Sequence, residues 1–114
     1  MSEPEFELLV DAIGGVLAVE VHGELTEGTH GALRQCLDQA MRGGRPVVVD
    51  LTHAQAIDDA GIKTLMEAHR RLATRLRVVI VRGGPAHLAL KRAGVSHVIA
   101  VHGSRAEALA ASGA

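Results

Sequence analysis

The sequence predicts one α/β domain over residues 5–112, with a mixed sheet and the element order β-β-α-β-α-β-α-β-α. Two early stretches alternate apolar and polar residues around Gly14-Gly15, which indicates a β-hairpin. Continuous apolar runs at residues 47–51 and 78–81 indicate strands that are covered on both faces. Apolar residues at helical spacing separate these runs, and strands that alternate with helices favour parallel neighbours joined by right-handed crossovers.

The opening hairpin has the most regular pattern in the chain. Residues 5–11 alternate acidic and apolar side chains, and Val10 belongs to the apolar face. Residues 16–22 repeat the alternation, with Val19 on the apolar face. A period of two is typical of half-buried strands. The hairpin is therefore expected to begin the domain.

A first helix is predicted after the hairpin, because apolar residues recur at helical spacing on one face: Leu33, Cys36, Leu37, Ala40 and Met41. Thr26 and Thr29 are the candidate N-caps, and Gly43-Gly44 is expected to end the helix. A thiol on the apolar face is expected to be packed and unreactive. Since the chain has one cysteine, it cannot form an internal disulfide, and a reducing compartment is favoured.

The middle of the chain reads as a strand, a loop and a helix. Residues 47–51 form the strand, residues 52–57 the loop, and the helix begins near residues 58–61. Helical spacing predicts that its buried face carries Ile62, Leu65, Met66, His69, Leu72 and Ala73.

The last third continues the alternation of strand and helix. After the apolar run at residues 78–81, Pro85 is placed to open a third helix that Gly94 ends. Residues 97–101 are predicted to form the final strand. Ser104 and Glu107 have the spacing of a capping box, which predicts a closing helix to about residue 111.

The composition indicates a folded globular protein and argues against single-stranded nucleic-acid binding and membrane insertion. The chain is 47% hydrophobic and 22% charged, which is typical of a folded globular protein. Phe6 is its one aromatic residue, which argues against binding single-stranded nucleic acid by base stacking. No apolar run approaches the roughly 20 residues that span a bilayer. Because residues 1–5 also lack the pattern of a secretion signal, we expect a cytoplasmic protein without membrane insertion.

Charge is unevenly distributed along the chain. Residues 1–59 carry eleven acidic and three basic side chains, whereas residues 60–114 carry two acidic and nine basic ones. Two interpretations remain open: the charges mix on the folded surface, or they polarise it and steer the encounter with a partner.

No catalytic arrangement stands out, so we expect no enzymatic activity and no cofactor. The sequence has neither a phosphate-binding glycine loop nor a nucleophile elbow. None of its seven histidines has the His-x-x-x-His spacing of a helical metal site. His22, His30 and His53 fall near strand ends or helix starts, so these three side chains could come together. We nevertheless expect no metal site.

Two segments carry the functional interpretation. The first is the turn after the second strand, Gly23-Glu24-Leu25-Thr26, and the second is the helix start, Asp58-Asp59-Ala60-Gly61-Ile62. Carboxylates at a helix start accept free backbone N–H groups and complement the helix dipole. Gly61 in the first turn costs helix stability, and it allows another backbone to approach closely.

These segments resemble the STAS domain family, and the resemblance extends from about residue 6 to residue 109. The family shows a Gly-Glu-Leu-Asp-like turn, a Val-Val-Leu-Asp-Leu-like strand, and an Asp-Ser-Ser-Gly-Leu helix start. Here the corresponding residues are Gly23-Glu24-Leu25-Thr26, Val47-Val48-Val49-Asp50-Leu51 and Asp58-Asp59-Ala60-Gly61-Ile62. The resemblance implies a STAS-like fold and a non-enzymatic protein of the anti-sigma factor antagonist type.

In that family the antagonist docks on an anti-sigma factor, often a serine protein kinase, and thereby frees a sigma factor. The resemblance implies that the docking surface comprises Glu24, Leu25, Thr26, Asp58, Asp59, Ala60, Gly61 and Ile62. The kinase phosphorylates the second serine of the motif, and the added charge separates the complex. Here Ala60 takes that position and Asp59 takes the preceding one. Phosphorylation at the usual position is therefore excluded, although Thr52 and Thr64 are hydroxyls nearby.

Other partners remain open on the same resemblance. STAS domains also serve as subunits of larger assemblies, such as phospholipid ABC transporters and signalling complexes, and such subunits can carry a small residue at the position of Ala60. A second copy of the chain is a further candidate partner.

Overall fold

The computed structural model describes residues 6–113, so Glu5, at which the first alternation was expected to begin, lies outside the described residues. The elements in chain order are β1 Phe6–Ile13, β2 Val16–Leu25, α1 His30–Gly43, β3 Val47–Asp50, β4 Ala54–Ile57, α2 Asp59–Leu72, a short 3-10 turn Ala73–Arg75, β5 Leu76–Val79, α3 Pro85–Arg92, β6 Ala100–His102 and α4 Arg105–Ala111. The predicted α/β class, with an opening hairpin and then alternating helices and strands, is confirmed.

The strands within residues 6–113 form one six-stranded mixed sheet, in which five of them have the order β1-β2-β3-β5-β6. β1 pairs antiparallel with β2, and the other pairs are parallel. β4 lies off this order, because it pairs with the carboxyl-terminal part of β2. β2 therefore has two parallel partners in succession, β3 along Leu17 to Glu20 and β4 along Gly23 to Leu25.

The sheet is covered on both faces, as the apolar runs predict. On one face α1, α2 and α3 contribute to the main core, in which Leu37, Leu65 and Leu90 are buried. On the other face α4 packs Ala108 against a smaller apolar cluster that includes Val48. Since adjacent residues of β3 point to opposite faces, the uninterrupted valines of this strand serve both clusters.

The end of α1 and the starts of α3 and α4 follow the predicted signals. Gly44, just after α1, has φ 69°, and its N–H reaches the carbonyls at the end of the helix. Pro85 lies in the first turn of α3. The Ser104 hydroxyl accepts the N–H of Glu107 at 3.1 Å and so caps α4. None of the described helices combines the length and the apolar character needed to cross a bilayer.

Three strand predictions differ from the structure in position. The strand predicted at residues 78–81 lies two residues earlier, at Leu76–Val79. Residues 52–57, predicted as a loop, contain β4, which forms because the carboxyl-terminal part of β2 offers it a parallel partner. The last strand was predicted at residues 97–101 and lies at Ala100–His102. Residues before it remain in a tight turn, since the N–H of Ile99 donates to the carbonyl of Val95 at 3.1 Å.

Two side chains are more exposed than their patterns predicted. Val10 was placed on the buried face of β1, yet it is 52% exposed. Leu65 and Leu72 are buried on α2 as predicted, but Ala73 is exposed because the helix ends before it. The α2 face instead buries the small residues Gly61, Thr64 and Ala68.

Candidate functional site

The turn after β2 and the start of α2 lie side by side. Their proximity follows from the pairing of β2 with β4, in which Leu25 is the partner of Ile57. The N–H of Asp58 then donates to the carbonyl of Leu25 at 3.1 Å. β4, which was not predicted, therefore brings the start of α2 next to the turn after β2.

The Asp58 carboxylate joins the two segments. Oδ1 accepts the N–H of Gly61 at 3.1 Å, which caps α2, and Oδ2 accepts the N–H of Glu27 at 3.0 Å. The hydrogen bond from Gly61, followed by those from Glu27 and Ala60 and by the charge of His30, holds the pKa of Asp58 below its ordinary value of 3.8, while desolvation opposes this. The anionic form of Asp58 is therefore the form that the folded chain favours.

Two threonines organise the turn after β2. The Thr29 hydroxyl donates to the carbonyl of Glu24 at 2.6 Å and accepts the N–H of Thr26 at 2.8 Å. Thr29 occupies the N-cap position of α1, but its side chain makes no capping bond there. Its hydroxyl instead fixes the preceding turn, whose carbonyl at Thr26 accepts the N–H of His30 at 2.8 Å.

The structure brings all the residues singled out from the sequence to this end of the sheet, but it does not expose all of them. The exposed or partly exposed members are Glu24, Thr26, Asp58, Asp59, Ala60 and Ile62. Leu25 and Gly61 are buried. Leu25 and Gly61 therefore lie under the exposed residues and support them.

Gly61 is required by the chain's own packing. A Cβ at this position would lie 2.8 Å from the Leu25 carbonyl oxygen and 2.9 Å from Cγ2 of Ile57. Glycine thus lets the first turn of α2 rest directly on the end of β2. The close backbone approach that the sequence suggested is an internal one.

The nearby hydroxyls are already engaged. The Thr64 side chain is 4% exposed, and its Oγ1 lies 3.0 Å from Nδ1 of His30. Oγ1 of Thr52 donates to Oδ1 of Asp50 at 2.7 Å. Thr64 is therefore inaccessible to a modifying enzyme in the folded chain, whereas Thr52 is partly exposed.

The predicted convergence of histidines is partial. His30 pairs with Thr64 and stays apart from the other two. His22 and His53 stack, with ring centroids 4.5 Å apart, and both rings contact Glu20. Sequence reasoning missed Glu20, although its position two residues before His22 on an alternating strand is a signal for a shared face.

Comparisons with known proteins agree with this geometry. The model of a family described as the STAS domain matches residues 7–108. The fold is similar to that of an anti-sigma factor antagonist from Mycobacterium paratuberculosis, with a TM-score of 0.88, 24% identity and full coverage of both chains.

Two further solved structures share the fold. An anti-sigma-factor antagonist (STAS) domain protein from Planctomyces limnophilus has a TM-score of 0.75 and 18% identity, covering 94% of this chain and 98% of the other. The Bacillus cell fate determinant SpoIIAA in its phosphorylated form has a TM-score of 0.63 and 16% identity, covering 92% and 96%. No curated protein matches the chain.

Proposed function

The chain belongs to the STAS domain family, and on that premise we propose that it is a non-enzymatic regulatory protein that docks on an anti-sigma factor or a serine protein kinase. The observation that carries the proposal is the exposed surface formed by Glu24, Thr26, Asp58, Asp59, Ala60 and Ile62, called here the acidic surface. It comprises the exposed and partly exposed members of the docking surface that the family resemblance implies.

Hydrogen bonds within the chain hold the backbone of the acidic surface in place before any partner binds. Asp58 ties the β2–α1 turn to the start of α2, and Thr29 fixes the turn internally. A partner therefore meets a surface whose backbone is already ordered, which lowers the entropic cost of binding. Because its exposed charges are carboxylates, the complementary partner surface is basic.

Ala60 removes the usual control of such a contact. It is partly exposed at the start of α2, and its methyl group cannot accept a phosphate. We propose that the complex is not separated by phosphorylation at this position. The same surface would serve a subunit of a larger assembly, which is the competing assignment.

Binding to purified candidate anti-sigma factors and kinases tests the proposal. We expect Asp59→Lys to weaken binding by roughly tenfold or more, because a basic partner would then face a like charge. The matched control is Asp11→Lys, which makes the same charge change on exposed β1, near the hairpin turn at the opposite end of β2. Both variants are compared at a concentration at which sedimentation velocity shows them to be monomeric.

Equal weakening by the two variants would contradict the location of the site. Failure to bind any anti-sigma factor or kinase, together with co-purification with transporter subunits, would favour the competing assignment. With a kinase partner and ATP, the wild-type complex is expected to persist, whereas Ala60→Ser should become phosphorylated and dissociate. Dissociation of the wild-type complex on addition of ATP would contradict the loss of the switch.

A further inference from the structure

Glu20, His22 and His53 form a compact cluster that shares no residue with the acidic surface. Nε2 of His22 lies 3.0 Å from Oε1 of Glu20, and Nδ1 of His53 lies 3.3 Å from the same oxygen. The three candidate ligand atoms all lie within 4.8 Å of one another. The two imidazole rings are stacked at an interplanar angle of 23°, and each ring presents a nitrogen to the Glu20 carboxylate.

The sheet topology explains why these side chains meet. Glu20 and His22 are two residues apart on β2, so they project from the same face. His53 precedes β4 and is held beside β2, since its carbonyl accepts the N–H of Gly23 at 3.4 Å. The cluster therefore bridges a strand and the loop that leads to its second parallel partner.

We propose that this cluster is a binding site for a divalent transition-metal ion of the zinc type. In a tetrahedral zinc site with bond lengths of about 2.1 Å, neighbouring ligand atoms lie about 3.4 Å apart. The distances from the carboxylate oxygen to the two imidazole nitrogens are close to this value. Two imidazoles and a carboxylate also form a recognised ligand set for a zinc site that keeps a fourth position open.

The surroundings suit this ligand set. Nη1 of Arg105 lies 3.4 Å from Oε2 of Glu20, so one carboxylate oxygen is held by the guanidinium and the other faces the histidines. Such outer contacts orient metal ligands. Nδ1 of His53 is also 3.1 Å from Oγ1 of Thr52, whose own proton is donated to Asp50, so the metal must displace a proton from Nδ1 when it binds. The exposed side of His53 leaves the fourth position accessible to water.

The donor atoms favour particular ions. Two nitrogens and one oxygen suit Zn²⁺, Ni²⁺ or Cu²⁺ better than Ca²⁺ or Mg²⁺, which prefer oxygen ligands. Cys36 lies on α1 and is not part of the cluster. The bound ion is therefore expected to have no thiolate ligand.

Titration of the tag-free chain with Zn²⁺ ions in a calorimeter tests the site. We expect one ion per chain and a raised melting temperature, because the ion links β2 to the β3–β4 loop and binds only the folded form. His22→Ala and His53→Ala should each weaken binding by at least about 10–100-fold, which is the range already seen when outer contacts alone are removed. Circular dichroism checks that these variants fold.

The matched control is His97→Ala, which removes an exposed histidine outside the cluster. It should bind Zn²⁺ with unchanged stoichiometry and affinity. A sample loaded with Co²⁺ should show ligand-field bands without a thiolate charge-transfer band. Absence of stoichiometric binding, binding that survives both cluster substitutions, or a thiolate band would overturn the proposal.

Discussion

At the scale of single residues, Gly61 gives the sharpest prediction. Gly61→Ala is expected to lower the free energy of unfolding by about 1–3 kcal/mol, because the new Cβ would overlap the end of β2. Chemical denaturation monitored by circular dichroism measures the change.

Gly31 in the first turn of α1 provides the control for Gly61. A Cβ there meets no atom within 4 Å. Gly31→Ala should therefore leave stability unchanged or raise it by up to about 1 kcal/mol through helix propensity. Equal effects of the two substitutions on the free energy of unfolding would contradict the prediction that close packing requires glycine at position 61.

Asp58 makes stability depend on pH in a defined direction. Its pKa is lowered in the folded chain, first by the hydrogen bond from Gly61. A carboxyl group with a lowered folded pKa stabilises the fold above its unfolded pKa, and this contribution is lost as the pH falls through the folded value. The stability advantage of the wild type over Asp58→Asn should therefore be full at neutral pH and shrink below about pH 4.

Melting temperatures between pH 7 and pH 3 measure this dependence on Asp58. Asp59→Asn is the matched comparison, since it makes the same change one residue later, where no cap to Gly61 is lost. An advantage of the wild type over Asp58→Asn that grew on acidification would contradict the assignment.

At the scale of elements, α4 is expected to be necessary for the fold despite its length. It alone among the described helices supplies the apolar cluster around Val48, through the fully buried Ala108. Ala108→Asp should lower stability by more than about 2 kcal/mol, because it buries a carboxylate without a partner. Urea unfolding is the measurement.

Ala106→Asp serves as the control for Ala108. Ala106 is exposed in the first turn of α4, where a negative charge complements the helix dipole. Little change or a small gain in stability is expected. A similar loss for both variants would mean that helix formation, and not the buried contact, is being measured.

The elements also show where sequence patterns carry information. Period-two alternation and apolar runs depend on local burial, so they located the hairpin and the strand at residues 47–51, and they located β5 to within two residues. β4 has no such pattern, because Ala54, Gln55 and Ala56 have low strand propensity. It exists through its pairing with β2, which is a tertiary interaction and cannot be seen locally.

The sequence predicted which residues form the candidate site, but it did not predict which of them are buried. The residues of the acidic surface were found from the turn and helix-start motifs. The burial of Leu25 and Gly61 was not, because it follows from the β2–β4 pairing. The same pairing brings His53 to His22, so no spacing in the sequence reveals that contact.

At the scale of the whole molecule, the two oppositely charged halves of the chain meet in part. Arg34 of the acidic half lies 3.9 Å from Glu67, and Arg71 of the basic half lies 3.8 Å from Asp38. Both pairs link α1 to α2. Each pair is exposed and contributes little stability, but both join oppositely charged side chains of the two halves.

The β1 edge of the sheet offers a surface for self-association. β1 is an edge strand, and Leu9 on it is 45% exposed, so a second copy has a strand to pair with. In an antiparallel pair centred on Leu9, Glu7 would face Asp11 of the other copy, and like charges directly opposite are destabilising. We expect the wild type to be monomeric in dilute solution and Glu7→Gln/Asp11→Asn to dimerise more readily.

Sedimentation velocity over a range of concentrations measures this dimerisation. A wild-type dimer that the double substitution does not strengthen would show that self-association uses another surface.

The bridge that Asp58 forms between Glu27 and Gly61 affects how mutational scans of this protein must be interpreted. Truncating this one side chain releases two backbone segments at once, so Asp58→Ala would score as a binding hot spot even without touching a ligand protein. Double-mutant cycles with Glu24 would reveal this as strong non-additivity. The contribution of individual residues to a complex is therefore better measured at Asp59, whose side chain makes no hydrogen bond among the described residues. Ile62 is less suitable, because it also packs against the main core.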